Sequence, residues 1–288
     1  PQCSIHLRVR KILQLISLLC CISAASLGGK EGVSVSQFPL TFNLVYPGNG
    51  IPSGESKKVW IGLRIVREDG WHTYWEHPGD VGIAPSIEWE LPAGFSAGKI
   101  IFPPPQRVSM FDIRANGHTG ETLFLIPLSI PPLTSGQELE IKGLCSWMAC
   151  SHTCMPAHTQ LSLKLPVVSK FEPDPYWATQ FKNFWATQPK EIPKDWNFDA
   201  RLIGKFLKLQ FPKFLSAKNA ELDFFAENRV VLSNQSPTVR KKDERIEWIL
   251  KKSPWGPQMP KKISGILSLK EGAEKSFYRL NIPVSSNE

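Results

Sequence analysis

The sequence has no cysteine after Cys154 and no histidine after His158. Beyond that point it also lacks a recognisable carboxylate pair and a Gly-rich phosphate loop, so we expect the C-terminal part to be a scaffold or docking module. No long apolar run follows the first 25 residues, which argues against a membrane span in the mature chain. There is no Arg-rich helix and no dense basic patch with interleaved aromatic residues, so nucleic-acid binding is not expected.

The composition favours short strands joined by many turns. The chain has 288 residues, 42% of them hydrophobic, with 25 Pro and 20 Gly. That length is enough for two domains of ordinary size, and the Pro and Gly content is high for a helical protein. The net charge of +8 falls to +5 once three basic residues of the N-terminal stretch, Arg8, Arg10 and Lys11, are set aside.

The N-terminal stretch has the features of a secretory signal peptide. Basic residues Arg8–Lys11 precede the apolar stretch Ile12–Ala25, which is too short to span a bilayer comfortably. The last three residues of that stretch, Ser23–Ala25, are small, as a cleavage site requires. We therefore predict a signal peptide over residues 1–26 and an exported mature protein, in a compartment where disulfides persist. An uncleaved anchor helix is the alternative interpretation.

Residues 27–170 show the alternation that is typical of β-strands. Val59, Ile61, Leu63 and Ile65 alternate with Trp60, Gly62 and Arg64. Similar patterns occur at residues 124–128, 139–145 and 161–165, and clusters of Pro, Gly, Asn and Ser separate them. Short strands without intervening helices predict a β-sandwich.

The sequence pattern changes from strand-like to helical at residue 171. Asp174 and Pro175 suit a helix N-cap and first turn, and Trp177, Phe181, Phe184 and Trp185 follow at helical spacing. We predict a helical linker over residues 171–195, whose aromatic face packs on a neighbouring domain. Strand patterns return over residues 196–288 and predict a second, smaller sandwich, which makes the chain all-β apart from the linker.

The stretch Cys145–His158 is the candidate site, because it holds Cys145, Cys150 and Cys154 together with His152 and His158. A redox disulfide between Cys150 and Cys154 requires a tight turn, since a regular helix does not bring cysteines at that spacing together. Such a small ring stabilises little by loop entropy, so it suits a switch better than a staple. A Cu or Zn site made of the Cys/His cluster and an inert structural bridge remain open as alternatives.

Several motifs resemble one family. They are Gly70–Gly82, Ile87–Gly94, Ile101–Pro105, Gly117–Glu121 and Trp147–Pro156. Together they resemble the periplasmic N-terminal region of the DsbD/ScsB thiol:disulfide interchange proteins, most closely the ScsB-like branch. The resemblance covers residues 33–168 well and continues more loosely to the end of the chain.

The resemblance implies an immunoglobulin-like sandwich whose cysteine pair relays electrons. Together with the strand patterns after residue 196, it leads us to predict an all-β chain of two immunoglobulin-like β-sandwiches that relays electrons without a cofactor or a metal. It implies that Cys150 and Cys154 are the redox pair and that Cys154 forms the mixed disulfide with a partner. It places a cap loop near residues 108–117, with Phe111 and Asp112 as shielding side chains. The implied location of the protein is the periplasm. The implied partners are exported thioredoxin-like proteins and a separate membrane thiol reductase, and no nucleic acid is expected as a partner.

The sequence also departs from the family pattern. Ala157 stands where the family often has Glu, so a carboxylate role at that position is either lost or passes to a residue such as Glu121. His118 replaces a family Tyr, and His152 lies between the two cysteines, so both are candidates for tuning the site. Cys145 is an extra thiol that is able to resolve or compete. A metal-binding or adaptor module without redox turnover is the alternative function.

Overall fold

The computed structural model describes residues 29–216, 220–227 and 229–286. The predicted signal peptide at residues 1–26 lies outside this part of the chain. The described residues form mainly strands and the turns between them, with one α-helix and a short 3-10 helix. None of the helices in these ranges is both long and apolar enough to cross a membrane.

Thirteen strands form the N-terminal sandwich. In chain order they are β1 (Lys30–Glu31), β2 (Val35–Gln37), β3 (Leu40–Tyr46), β4 (Ile51–Pro52), β5 (Lys57–Arg67), β6 (His72–Tyr74), β7 (Ser86–Glu90), β8 (Ser96–Ala97), β9 (Gln106–Met110), β10 (Ile113–Thr119), β11 (Glu121–Ile130), β12 (Glu138–Cys150) and β13 (Cys154–Val168). One sheet runs β1-β3-β5-β11-β8, with β2 beside β3. The other runs β4-β13-β12-β6-β10-β9, with β7 beside β12.

The core of this sandwich lies between the two sheets and follows the predicted alternation. Ile61, Leu63 and Ile65 of β5 are fully buried and face Ile141 and Leu163 from the other sheet within one apolar cluster. Because successive side chains of a strand point to opposite faces, Trp60 and Arg64 lie on the outer side of the first sheet. Alternation in the sequence therefore predicted correctly which side chains form the core.

The predicted helix is confirmed as α1 (Pro175–Ala186). The carboxylate of Asp174 accepts a hydrogen bond of 2.7 Å from the Trp177 backbone N–H, and Pro175 occupies the first turn. Trp177, Phe181 and Phe184 are buried. They pack on the outer face of the first sheet, against Val45, Trp60, Leu123 and Leu125. The aromatic face thus packs on the N-terminal sandwich, so the helix is docked onto it.

Eight strands make up the C-terminal sandwich. They are β14 (Lys190–Glu191), β15 (Asp199–Ile203), β16 (Phe206–Pro212), β17 (Ala220–Ala226), β18 (Thr238–Lys242), β19 (Arg245–Lys251), β20 (Lys262–Glu271) and β21 (Glu274–Ser286). The long strand β21 pairs with β20 up to Pro283 and with β15 from Val284 onward, so it passes from one layer to the other. A separate core that includes Phe211, Trp248 and Leu267 fills the space between the layers.

The two sandwiches touch through an ion pair and an apolar cluster. Arg107 of β9 donates to both carboxylate oxygens of Asp223 in β17, at 2.9 and 2.8 Å, and to the carbonyl of Phe224 at 2.6 Å. Beside it, Trp75 of the first sandwich packs with Phe225 and Ile266 of the second. The contact lies at the edge of the sheet that carries the cysteine pair, because β9 is the edge strand of that sheet.

Candidate functional site

Cys150 and Cys154 form a disulfide across the tip of the β12–β13 hairpin. The hairpin register pairs Cys150 with Cys154 as its last pair, so three residues, Ser151–Thr153, make the turn. The Ser151 N–H closes this turn with a hydrogen bond of 3.0 Å to the Thr153 carbonyl. The Cα atoms of the two cysteines are 4.2 Å apart. A hairpin therefore supplies the close approach that a helix at this spacing would not.

The two sulfurs differ in their exposure. Cys150 is fully buried, whereas Cys154 is half-buried. Both lie on the outer face of the sheet, in a small apolar cluster with Tyr74, Val108, Ala115 and Met110. An incoming thiol reaches Cys154 more readily than Cys150, because thiol–disulfide exchange requires access to the attacked sulfur.

Tyr74 is the polar side chain in contact with the pair. Its hydroxyl donates a hydrogen bond of 3.0 Å to the Sγ of Cys150. Burial raises the pKa of Tyr74, so the phenol keeps its proton and remains a donor at neutral pH. The same donor is placed to stabilise a thiolate on Cys150 if the disulfide opens, because hydrogen bonds to charged groups are stronger than neutral ones.

His72 lies directly beside Cys150 in the neighbouring strand. The two residues are paired in the register of β6 and β12, and the His72 ring packs edge-on against Tyr74 with centroids 5.3 Å apart. Burial, with a smaller contribution from Arg67, lowers the pKa of His72 to about 4. His72 is therefore neutral at pH 7 and adds no positive charge to the site.

The tip of the β9–β10 hairpin contacts the cysteine turn at Cys154 and at His152. Met110 pairs with Ile113, so Phe111 and Asp112 form a two-residue turn. The Sδ of Met110 lies 3.6 Å from the Sγ of Cys154, a van der Waals contact because a disulfide sulfur carries no hydrogen. The Phe111 ring lies 5.8 Å from the His152 ring, centroid to centroid, and remains 73% exposed.

Phe111 has a left-handed backbone with a φ of 52°. Few residues other than glycine adopt this region, and a bulky side chain there is strained. The turn places the aromatic ring of Phe111 beside the His152 ring of the cysteine turn.

His118 and Glu121 are placed away from the disulfide. His118 is paired with Thr73, which in turn is paired with the core residue Ala149, so it lies on the opposite face of the sheet from Cys150. It packs against Phe124 with ring centroids 5.4 Å apart. Glu121 lies on β11 of the other sheet and accepts two hydrogen bonds, of 2.8 and 2.7 Å, from Arg64. That pairing lowers the pKa of Glu121.

Cys145 is a buried free thiol on the core-facing side of β12. It lies five positions before Cys150 in β12, which places the two side chains on opposite faces of the strand and about 16 Å apart along it. Burial raises the pKa of Cys145 to about 12. The structure therefore keeps this thiol protonated and out of reach of the pair, in contrast to a resolving or competing role.

The Cys and His side chains of the stretch Cys145–His158 do not come together at one site. Cys145 faces the core, Cys150 and Cys154 are bonded to each other, and His158 is exposed further along β13. Across residues 29–216, 220–227 and 229–286, no group of three or more His, Cys, Asp or Glu side chains is arranged to hold a metal ion.

A loop tied to the second sandwich packs on Tyr74. Gly82 lies so close to the Tyr74 ring that a Cβ built on it would be 2.2 Å from the ring carbons. Two residues earlier, the Asp80 carboxylate accepts hydrogen bonds from the Ser233 N–H and hydroxyl, at 2.7 and 2.9 Å, and the Asp80 N–H donates to Ser233 Oγ at 2.9 Å. Contacts thus run from the C-terminal sandwich through Asp80 and Gly82 to Tyr74 and Cys150.

Residues 50–166 match the family model described as thiol:disulfide interchange protein DsbD, N-terminal. This segment is a DsbD N-terminal domain. It contains the cysteine pair, Tyr74, His72 and the Phe111 turn described above.

Solved structures extend the likeness beyond the DsbD domain. The N-terminal periplasmic domain of ScsB from Proteus mirabilis matches with a TM-score of 0.65 and 16% identity, over 89% of this chain and 99% of that chain. At this identity the match establishes the fold of both sandwiches. A chimeric titin Z1Z2 structure covers 90% of this chain and 100% of its own at 10% identity, but its TM-score of 0.20 carries no argument. No curated protein matches this chain.

Three neighbours of the disulfide in the DsbD domain were not among the site residues expected from the sequence: Tyr74, His72 and Met110. The sequence contains a partial signal, because His72 and Tyr74 lie two apart in a strand-like segment and so share a face. Which face they share, and with which cysteine, depends on the pairing of β6 with β12, strands more than 60 residues apart in sequence.

Proposed function

We propose that this chain is an exported, periplasmic thiol:disulfide interchange protein that passes reducing equivalents between thioredoxin-like partners through Cys150 and Cys154. The observation that carries the proposal is the disulfide at the hairpin tip, with one sulfur half-buried and the other buried against Tyr74. The DsbD family match over residues 50–166 supports the same chemistry.

The exchange is a pair of thiolate attacks. A partner thiolate attacks the Sγ of Cys154, a mixed disulfide forms, and Cys150 leaves as a thiolate that accepts the Tyr74 hydrogen bond. The second partner thiol, once deprotonated, attacks the partner sulfur of the mixed disulfide and releases Cys154. Two electrons and two protons then reside on Cys150 and Cys154, and the partner is left as a disulfide. The reverse sequence reduces the next partner.

We propose a membrane thiol reductase on a separate polypeptide and exported thioredoxin-like proteins as the two partners. Neither a metal nor an organic cofactor is required by these steps. The same proposal divides the chain into a signal peptide at residues 1–26, the redox sandwich at residues 27–170, the helical linker at residues 171–195 and the second sandwich at residues 196–288.

Trapping tests the proposal. In a Cys150→Ser variant, the Cys154 thiolate attacks the disulfide of an oxidised thioredoxin-like protein, and the second cysteine of the partner leaves as a thiolate. No Cys150 thiol remains to complete the exchange, so we expect the mixed disulfide to accumulate and to appear on non-reducing gels after acid quenching and alkylation of the free thiols. The matched control is Cys154→Ser, whose remaining Cys150 is buried and should give little adduct. If neither variant forms an adduct, and reduced thioredoxin does not reduce the wild-type disulfide, the relay function is wrong.

A further inference from the structure

A broad cleft opens between the two sandwiches beside the β9–β10 hairpin. Its volume is about 850 Å³. Its walls include Val81 and Ile113 from the redox sandwich, Trp255 from the second sandwich, and three lysines, Lys205, Lys251 and Lys252. It thus combines side chains from both sandwiches along one surface.

Two residues that line the cleft, Ile113 and Val81, are neighbours of residues that contact the disulfide or Tyr74. Ile113 is the cross-strand partner of Met110, whose sulfur contacts Cys154 at 3.6 Å. Val81 lies between Asp80, which is bound to Ser233, and Gly82, which packs on Tyr74. A protein that reaches Cys154 with a thiol therefore comes close to this cleft.

The cleft exposes apolar surface that neither sandwich covers. Trp255 is 68% exposed, Ile113 41% and Val81 37%. Grouped exposed apolar side chains of this kind mark interaction sites, and tryptophan is among the residues that most often dominate interface energies.

The charge of the cleft points to an acidic partner. Three lysines line it against one carboxylate, Asp80, which is bound to the second sandwich through Ser233 and Asn234. Residues 196–288 carry 17 Lys+Arg and 10 Asp+Glu, whereas residues 27–195 carry 14 and 16. Complementary potentials across an interface raise association rates and select partners.

We infer that this cleft is the docking surface for the thiol partner. Its occupant is the acidic, apolar-tipped surface that flanks the active-site cysteine of a thioredoxin-fold protein. The second sandwich, which has no cysteine or histidine of its own, contributes Trp255 and the lysines that hold the partner while Cys154 exchanges. This inference rests on the proposed function.

The experiment compares a docking reductant with a small one. Reduction of the Cys150–Cys154 disulfide in the full chain is followed by stopped flow, with reduced thioredoxin of acidic surface or with dithiothreitol. For Trp255→Ala we expect about a tenfold slower reaction with thioredoxin and an unchanged reaction with dithiothreitol, because the small thiol needs no docking surface. Trp255 is exposed, so its truncation leaves both cores intact.

Two variants with the same change of net charge distinguish the effect of charge within the cleft from the effect of the net charge of the protein. Lys251→Glu in the cleft should slow the thioredoxin reaction at low salt, and the difference should shrink at high salt as the charges are screened. Lys262→Glu makes the same change of net charge on an exposed residue of β20 outside the cleft and should have little effect.

Each outcome decides the inference. If Trp255→Ala and Lys251→Glu react with thioredoxin as the wild type does, the docking role is wrong and the relay stands. If both reductants slow equally, the cleft acts on the disulfide rather than on the partner, and the docking role is again overturned. If thioredoxin does not reduce even the wild-type protein, the relay and the docking surface fail together.

Discussion

The hydroxyl of Tyr74 donates a hydrogen bond of 3.0 Å to the Sγ of Cys150, the buried half of the disulfide. No other hydrogen-bond donor within the described part of the chain contacts either sulfur of the pair. In the reduced protein this hydroxyl is the group placed to stabilise a Cys150 thiolate.

Replacement of Tyr74 by Phe should raise the pKa of the Cys150 thiol. A hydrogen bond to a charged group contributes about 1.5–3 kcal/mol, which corresponds to about 1–2 pKa units. The thiolate absorbance of Cys150 against pH measures it, in a chain that starts at residue 27 and carries Cys154→Ser. Tyr46→Phe, a buried tyrosine in the first core, is the control. An equal shift in both variants would contradict a local role for Tyr74.

The Phe111 turn should slow the access of small thiols to Cys154. Phe111→Ala removes the ring above the turn, so dithiothreitol should reduce the disulfide several-fold faster. Phe111→Gly should accelerate reduction equally, but it should also be about 1 kcal/mol more stable than Phe111→Ala because glycine adopts a positive φ without strain. Urea unfolding of the oxidised proteins gives the second comparison. Unchanged reduction rates in both variants would show that the ring does not shield the pair.

Stability should fall on mild acidification. His72 has its pKa lowered to about 4 and His118 has its pKa lowered well below its usual value, in both cases by burial first and by Arg67 second. The unfolded chain therefore binds these protons before the folded chain does. Their stabilisation is complete above pH 6.5 and is lost as the pH falls toward 4, by about 1–3 kcal/mol.

Urea unfolding at several pH values between 7.5 and 4.5 measures this loss. His72→Gln should flatten the dependence, whereas His158→Gln, which changes an exposed histidine, should leave it as in the wild type. The hydrogen bonds from Arg64 lower the pKa of Glu121. A pH-independent stability between 6.5 and 4.5 would contradict the assignment to buried neutral histidines.

The Arg107–Asp223 pair should couple the two sandwiches. Arg107→Lys keeps the charge but loses the two-pronged contact with Asp223 and the bond to the Phe224 carbonyl. We expect a loss of about 1–3 kcal/mol and a separation of thermal unfolding into two transitions in calorimetry. A double-mutant cycle with Asp223→Asn isolates the pair, and additive effects would show that it carries no coupling.

Cys145 should resist alkylation in the folded protein. Its pKa of about 12 and its position in the core keep it protonated and inaccessible. After reduction, iodoacetamide should modify Cys154 in the native state, and Cys145 only in denaturant, as peptide mass spectrometry would resolve. Rapid native modification of Cys145 would contradict its burial.

The sequence by itself indicated the strand regions, the helix and the disulfide turn. Alternation at Val59–Ile65 reports which side chains are buried because a strand has a period of two. Asp174 and Pro175 marked the start of the helix because a cap acts over three residues. The Cys150–Cys154 spacing and its flanking motif indicated a disulfide on a turn, since the hairpin that forms it is local in sequence.

Only the tertiary structure decided what surrounds that disulfide. His118 is close in sequence to the turn of the β9–β10 hairpin, yet its side chain faces the core. Tyr74 lies more than 70 residues before Cys150, yet its hydroxyl donates a hydrogen bond to the Cys150 sulfur. The pairing of β6 with β10 and β12 decides which side chains face the core and which face the disulfide. A shift of one residue in that register would exchange the two faces of the strand. Local patterns in a sequence do not specify such a register, because it depends on contacts between segments that are distant along the chain.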